Sequence, residues 1–209
     1  ANSSLMPLGA SRESGSLLAG IGTYGVILVS PLRKAWQQAT DDRPDGTVHL
    51  SGRVDLQTHL DAVGARARSI AEALKLPLHL QKAVFDAARW HDLGKVDPRF
   101  QAMLFDGDGL LASLAEIPLA KSGMPPQDLA RQLRARTKSK MPPRARHEAW
   151  SEQLVSAAFA ETSGGYDGDA ELVLHLSVSH HGHARPLLPL VSDPAGHTLT
   201  ANIDGVEVN

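Results

Sequence analysis

Apolar positions change their spacing along the chain. Gly25-Val-Ile-Leu-Val-Ser30-Pro31 is a β-branched run closed by proline, which predicts a short strand. Residues 1–20 before it are rich in Ser and Gly without a period and read as a flexible arm. Residues 39–47 read as a loop, and Val48-His49-Leu50 as a second short strand. From Leu56 the period lengthens. Leu56, Leu60, Val63, Ala67, Ile70 and Leu74 recur at three or four residues, one face of a helix that Pro77 ends. Leu80, Val84, Ala87, Ala88 and His91 continue on a second helix, stopped near Gly94. Phe100, Met103 and Leu104 mark a short third helix. Residues 106–143 are broken by Gly and Pro, and only 127–137 has helical character. Ala145 to Phe159 is Ala-rich with Trp150, Leu154 and Val155 at helical spacing. Glu171 to His181 fits two templates. Leu172, Leu174, Leu176 and Val178 alternate like a strand, while Leu172, Leu176 and His180 fit a helix. The tail from 186 is rich in Pro, Gly and Asp, with Thr198–Val208 extended. The fold class is therefore mainly α, a helical bundle behind a small β-containing segment.

Composition narrows the chemistry. The 209 residues are 42% hydrophobic, enough for a packed core, but only 4% aromatic, so that core rests on Leu, Val, Ile and Ala. There is no cysteine. Disulfide scaffolds, thiol nucleophiles, Cys-based zinc sites and iron–sulfur clusters are excluded, and a reducing cytoplasmic setting fits. No apolar run reaches the length of a membrane span, and the first residues do not read as a secretory signal. Neither a Gly-rich phosphate loop nor a G-x-S-x-G elbow occurs, so ATP hydrolysis and acyl transfer are poorly supported.

Charge is uneven. Residues 121–147 hold Lys121, Arg131, Arg134, Arg136, Lys138, Lys140, Arg144 and Arg146 against Asp128 alone. That segment is net +7 while the rest of the chain is net −9. A concentrated basic segment in an acidic protein suits a polyanion such as nucleic acid, or is simply a solvated loop.

The histidines carry the sharpest signal. His91-Asp92-Leu93-Gly94-Lys95 places an imidazole beside a carboxylate at a helix end. A vicinal pair on a helix points about 100° apart, so it can address two metal positions, or the carboxylate can bridge them. Lys95 falls on the face of His91 if the helix persists, where it can neutralise phosphate charge. Taken alone, the pair reads as a core histidine bonded to a backbone carbonyl and a surface acid. It is not alone. His59 lies on or beside the apolar face of the first long helix, His147-Glu148 opens the helix after the basic segment, and His180-His181 closes an apolar run. Two adjacent imidazoles at a buried end need partners for four ring nitrogens. Five histidines and a carboxylate form the donor set of a dinuclear transition-metal site, in which two ions clamp a nucleophile and a scissile phosphate.

The order His59, His91-Asp92, His147, His180-His181 resembles the HD superfamily of metal-dependent phosphohydrolases. The segments AARWHDLGKVDPRFQAML, RARHEAWSEQLV and SHHGHARP are similar to the HD nuclease domain of the CRISPR-associated helicase-nuclease of type I interference systems. The long insert with LAKSG before RHE is similar to the variant in which the HD domain follows the helicase. The resemblance covers roughly residues 50–190. It implies a helical domain that holds one or two divalent ions (Mn, Fe, Co or Ni, with Mg or Zn as further options) and cuts single-stranded DNA. The DNA would be supplied by a helicase module after a crRNA-guided surveillance complex opens the target. By position, His59, His91 and Asp92 would hold the first ion with Asp92 bridging, and His147, His180 and His181 the second. Asp92 and Lys95 would be catalytic, Lys95 by stabilising phosphate charge. Arg131, Arg134, Arg136, Lys138, Lys140, Arg144 and Arg146 would bind the strand. Ser151 falls where the family often has a small polar residue and receives no role.

The pattern departs from the family in its last part. The family usually completes its metal set with an Asp on a later helix. Here Asp193 and Asp204 stand in Pro/Gly-rich context that does not match that motif, so the expectation is either a truncated piece or a set missing its sixth protein ligand, and no helicase motor is expected in it. The expected organisation is an arm or linker with short strands over 1–50, an HD nuclease-like domain over 51–190 with its basic insert at about 106–146, and an extended tail over 191–209. Two other readings use the same residues: an HD phosphohydrolase acting on nucleotides, which needs no basic segment, and a degenerate HD interaction module, which binds no metal.

Overall fold

A computed structural model of the chain describes residues 17–22, 25–29, 52–125, 127–162, 165–182, 191–203 and 206–208. The chain divides into two units, residues 1–40 and 41–209. In the first, strands β1 (Leu17–Gly22) and β2 (Gly25–Val29) form an antiparallel hairpin with an irregularity between Leu18 and Ile21. β2 matches the predicted strand. β1 replaces part of the expected arm: its run Leu-Leu-Ala-Gly-Ile-Gly carries no period, and pairing with β2 makes the strand. The loop read at 39–47 and the strand read at 48–50 lie outside the described residues.

The second unit is mainly helical. A two-residue strand β3 (Val54–Asp55) leads into α1 (Leu56–Ala73), where the Asp55 side chain accepts the Thr58 N–H and caps the helix. α2 (Leu78–Trp90) follows Pro77 and packs on α1. The approach is close at Gly64, where an added Cβ would lie 2.9 Å from Arg89 Cγ. The predicted stripe of α1 holds only in its first half. Leu56 and Leu60 are buried, but Ile70 and Leu74 are exposed, because the buried line runs through Gly64 and Ala71.

After a single 3-10 turn, Leu93–Val96, α3 (Pro98–Leu104) starts on a buried Asp97 cap. α4 (Gly109–Leu114) and β4 (Leu119–Lys121) occupy what reads as irregular chain. α4 is capped by Asp108 yet buries none of its residues, so it leaves no apolar period to read. β4 pairs antiparallel with β3 and is locked by the buried Gln101, which donates to Leu119 O at 2.9 Å and accepts Leu119 N–H at 2.8 Å. α5 (Leu129–Lys138) carries much of the basic segment. α6 (His147–Glu161) and α7 (Ala170–Ser179) pack on each other, and α7 packs on α2. The ambiguous segment is thus a helix. Its buried face is Val173 and Ser177, while Leu172, Leu174 and Leu176 pack on the core from the flanks and imitate alternation. The tail forms a hairpin, β5 (Ala201–Ile203) and β6 (Val206–Val208), that lays Ala201, Ile203 and Val208 into the core beside α6.

One apolar cluster joins α1, α2, α6, α7 and the C-terminal hairpin, and a second joins α3, α5, Met141 and Ala145. Among the described residues no helix is long and apolar enough to cross a membrane. The fold is the mainly α bundle with small β elements that the sequence predicts.

Candidate metal centre

Four helices converge on one carboxylate. His59 stands in the first turn of α1, His91 caps the C-terminus of α2, His147 opens α6, and His180 caps the C-terminus of α7. Asp92, buried, lies in the turn between α2 and the 3-10 segment. Its two oxygens face different groups. Oδ2 is 3.1 Å from His59 Nε2, 3.3 Å from His91 Nε2 and 2.9 Å from Lys95 Nζ. Oδ1 is 2.8 Å from His147 Nε2 and 3.6 Å from His180 Nε2. Two overlapping donor sets result, His59/His91/Asp92 and Asp92/His147/His180/His181, each with its ligand atoms within 4.8 Å of one another. Asp92 and His147 form the buried floor, and His181 reaches solvent at the rim. All the histidines singled out by sequence, with Asp92 and Lys95, meet here.

The hydrogen bonds define what these rings offer. His91 Nδ1 lies 2.7 Å from Ala88 O, and His180 Nδ1 lies 2.6 Å from Ser177 O. A carbonyl only accepts, so Nδ1 donates in both, and in the neutral ring Nε2 is left with a lone pair. Those lone pairs face Asp92 oxygens, and His180 Nε2 is also 3.3 Å from His147 Nε2. Acceptors turned on acceptors repel unless a cation lies among them. The donor set of imidazole and carboxylate suits a divalent transition ion, so the residues present fit a metal.

Electrostatics support the same state. Burial pushes the Asp92 carboxyl up, but the Lys95 ammonium 2.9 Å away and the imidazoles of His91, His147 and His180 around it hold it well below the usual carboxylate range. Burial first, then the neighbouring His180 and His147, lowers His181 to about 3, which keeps its lone pair free for a ligand. Lys95 does not continue the α2 face, because that helix stops at Trp90. It sits on the 3-10 turn, buried, bonding Ala120 O at 3.3 Å and pairing with Asp92.

Two features that sequence reasoning gave no part stand behind this geometry. The Gly94 N–H donates to Ser151 Oγ at 2.8 Å, tying the His-Asp step to α6. A Cβ on Gly94 would lie 2.1 Å from His147 O, so only glycine allows this approach. The other is Glu148, fully buried behind His147 with Oε2 3.6 Å from its Nδ1. The small residues of HDLG and the Ser four after His147 were the available signal.

The candidate aspartates of the tail do not join the centre. Asp193 pairs with Arg99 at 2.8 Å, beside the Arg99–Asp97 pair, and Asp204 lies outside the described residues. In the basic segment Arg134, Lys138, Lys140 and Arg144 are exposed, and Arg136 and Arg146 half-buried. Arg131 pairs with Asp106 at 3.1 Å. The segment ends at Arg146, next to His147.

A helical domain with a His-Asp step at its centre and imidazoles from four helices around it is the architecture of an HD-type metal-dependent hydrolase. The family model described as Cas3, HD domain matches residues 52–200, and the chain belongs to that family, the metal-dependent nucleases of CRISPR systems. Members bind divalent metal ions, and the cluster around Asp92 has the residues to do so. No curated protein and no solved structure matches the chain.

Proposed function

We propose that this chain is a metal-dependent endonuclease domain that hydrolyses phosphodiester bonds of single-stranded DNA in type I CRISPR interference. The observation that carries the reading is that one carboxylate, Asp92, turns its two oxygens to two separate groups of histidines. His59, His91 and Asp92 would hold one ion, and His147, His180 and His181 the other, with Asp92 placed to serve both. Bound ions supply Lewis acidity, lowering the pKa of water towards neutrality and drawing charge from the scissile phosphate. The chain's own residues do the rest. Lys95 keeps Asp92 ionised and adds positive charge where the phosphate is attacked. The carbonyls of Ala88 and Ser177 fix two ring orientations.

The exposed cations of 131–146 guide the backbone of the strand to the centre through phosphate contacts. Trp90, Phe100 and Phe105 are buried and only Trp150 is half-exposed near the site, so base stacking is limited and sequence preference weak. In this reading residues 51–190 are the catalytic domain, 106–146 its basic insert and 191–209 the tail. The strand comes from a helicase module acting after a crRNA-guided surveillance complex has opened the target.

The test is degradation of circular single-stranded DNA by the purified chain with Mn, Co, Ni or Mg, beside Asp92→Ala. Nicking that needs metal and disappears in the variant supports the reading. Hydrolysis of deoxynucleotides without DNA cleavage replaces it with a nucleotide phosphohydrolase, and absence of bound metal with an interaction module.

A further inference from the structure

His59, His91, His147 and His180 turn Nε2 to Asp92, and the last three stand at helix ends where Nδ1 must find its own partner. His91 and His180 do so in the same way. Each caps the C-terminus of a helix, where the last carbonyls have no partner within the helix, and each donates Nδ1–H to the carbonyl three residues back. His147 stands at the opposite end of a helix. An N-terminus presents orphan N–H groups, not carbonyls, so the backbone solution is absent there. On its Nδ1 side the structure places Glu148, with Oε2 at 3.6 Å. Glu148 is 0% exposed, and neither carboxylate oxygen has a hydrogen-bond partner among the described residues. A buried carboxylate without partners is expensive unless a donor completes it.

We infer that Glu148 is a positioning residue for the metal centre: it receives Nδ1–H of His147 and so presents the Nε2 lone pair to the ion shared with Asp92. The inference rests on the proposed metal site and adds to it the group that sets the tautomer of its most buried ligand. The separation of 3.6 Å is longer than a hydrogen bond, and a small rotation of the ring or of the carboxylate closes it. Without Glu148 the competing tautomer is favoured, because Nε2–H would donate to Asp92 Oδ1, 2.8 Å away. That tautomer has no lone pair to offer on the metal side. Carboxylates behind ligating imidazoles commonly act this way, fixing tautomer and orientation.

The experiment compares wild type, Glu148→Gln and Glu148→Leu. The tautomer of His147 is read in the metal-free full chain by ¹⁵N side-chain NMR, with its signals assigned from a His147→Gln chain, and Mn²⁺ affinity is measured by calorimetry. Wild type is expected as Nδ1–H. Glu148→Leu should shift His147 to Nε2–H and weaken Mn²⁺ binding about 10- to 100-fold. Glu148→Gln keeps an acceptor and should give a mixture of tautomers with a smaller loss. An Nε2–H wild type, or Nδ1–H retained with undiminished affinity in Glu148→Leu, overturns the inference. Should the Leu chain not fold, a Gln chain identical to wild type in both readouts overturns it equally. The tautomer readout needs neither metal nor DNA, so a failure of the nuclease reading would be seen separately.

Discussion

The backbone N–H of Gly94 is held by Ser151 Oγ at 2.8 Å, across 57 positions of sequence. This bond docks the turn that carries Asp92 on the helix that carries His147. Ser151 is fully buried, so Ser151→Ala leaves the Gly94 N–H without its acceptor and should cost about 1–3 kcal/mol by urea denaturation. Gly94→Ala is more severe, since its Cβ would meet His147 O at 2.1 Å and Ser151 N at 2.7 Å. It should destabilise by at least about 3 kcal/mol. An alanine chain as stable as wild type would show that this approach is not needed.

Another buried carboxylate, Asp86, ties the loop before α7 to α2. It pairs with Lys82 at 2.7 Å and accepts a short hydrogen bond from the Tyr166 hydroxyl. Burial and the Asp86 carboxylate raise the Tyr166 pKa above its ordinary 10.0. The folded value exceeds the unfolded one, so this stability is fully present below about pH 10 and is lost as pH rises through the folded pKa. Tyr166→Phe should cost about 1.5–3 kcal/mol at neutral pH and flatten the alkaline limb of the stability profile. Tyrosinate absorbance checks the cause: the late-titrating tyrosine should vanish in the variant.

The basic segment makes a quantitative expectation. Each phosphate contact with a single strand contributes about −0.7 to the slope of log affinity against log salt. Replacing the exposed Arg134, Lys138 and Lys140 together by Gln should weaken binding and flatten that slope by about 2. Arg131→Gln should do less, because Asp106 already neutralises its guanidinium at 3.1 Å. Fluorescence anisotropy on single-stranded DNA over a salt series measures both, and an unchanged slope in the triple variant removes the segment from the interface.

Much of the site was legible because metal ligands are chosen for their donor atoms. None of His59, His91-Asp92, His147 and His180-His181 is telling by itself, but together and in that order they form the donor set of a metal site. Glu148 was less legible. An acid in the first turn of a helix ordinarily reads as a solvated partner of the helix dipole, and its burial depends on the packing of α6. Lys95 shares the face of His91 only if the helix persists, and the break of α2 at Trp90 turns it onto Asp92 itself. In the fold, periodic helices such as α2 were legible, whereas α4, which buries nothing, and β1, which exists by pairing, leave no period.

The claim on which most depends is that Asp92 serves two ions at once. Manganese stoichiometry, with electron paramagnetic resonance of the loaded chain, tests it directly. Wild type should bind two Mn²⁺ with a spin-coupled signal. His59→Ala and His181→Ala should each leave one ion and an uncoupled signal, and Asp92→Ala should retain neither. A wild-type chain that binds a single ion, or an Asp92→Ala chain that still holds two, would contradict it.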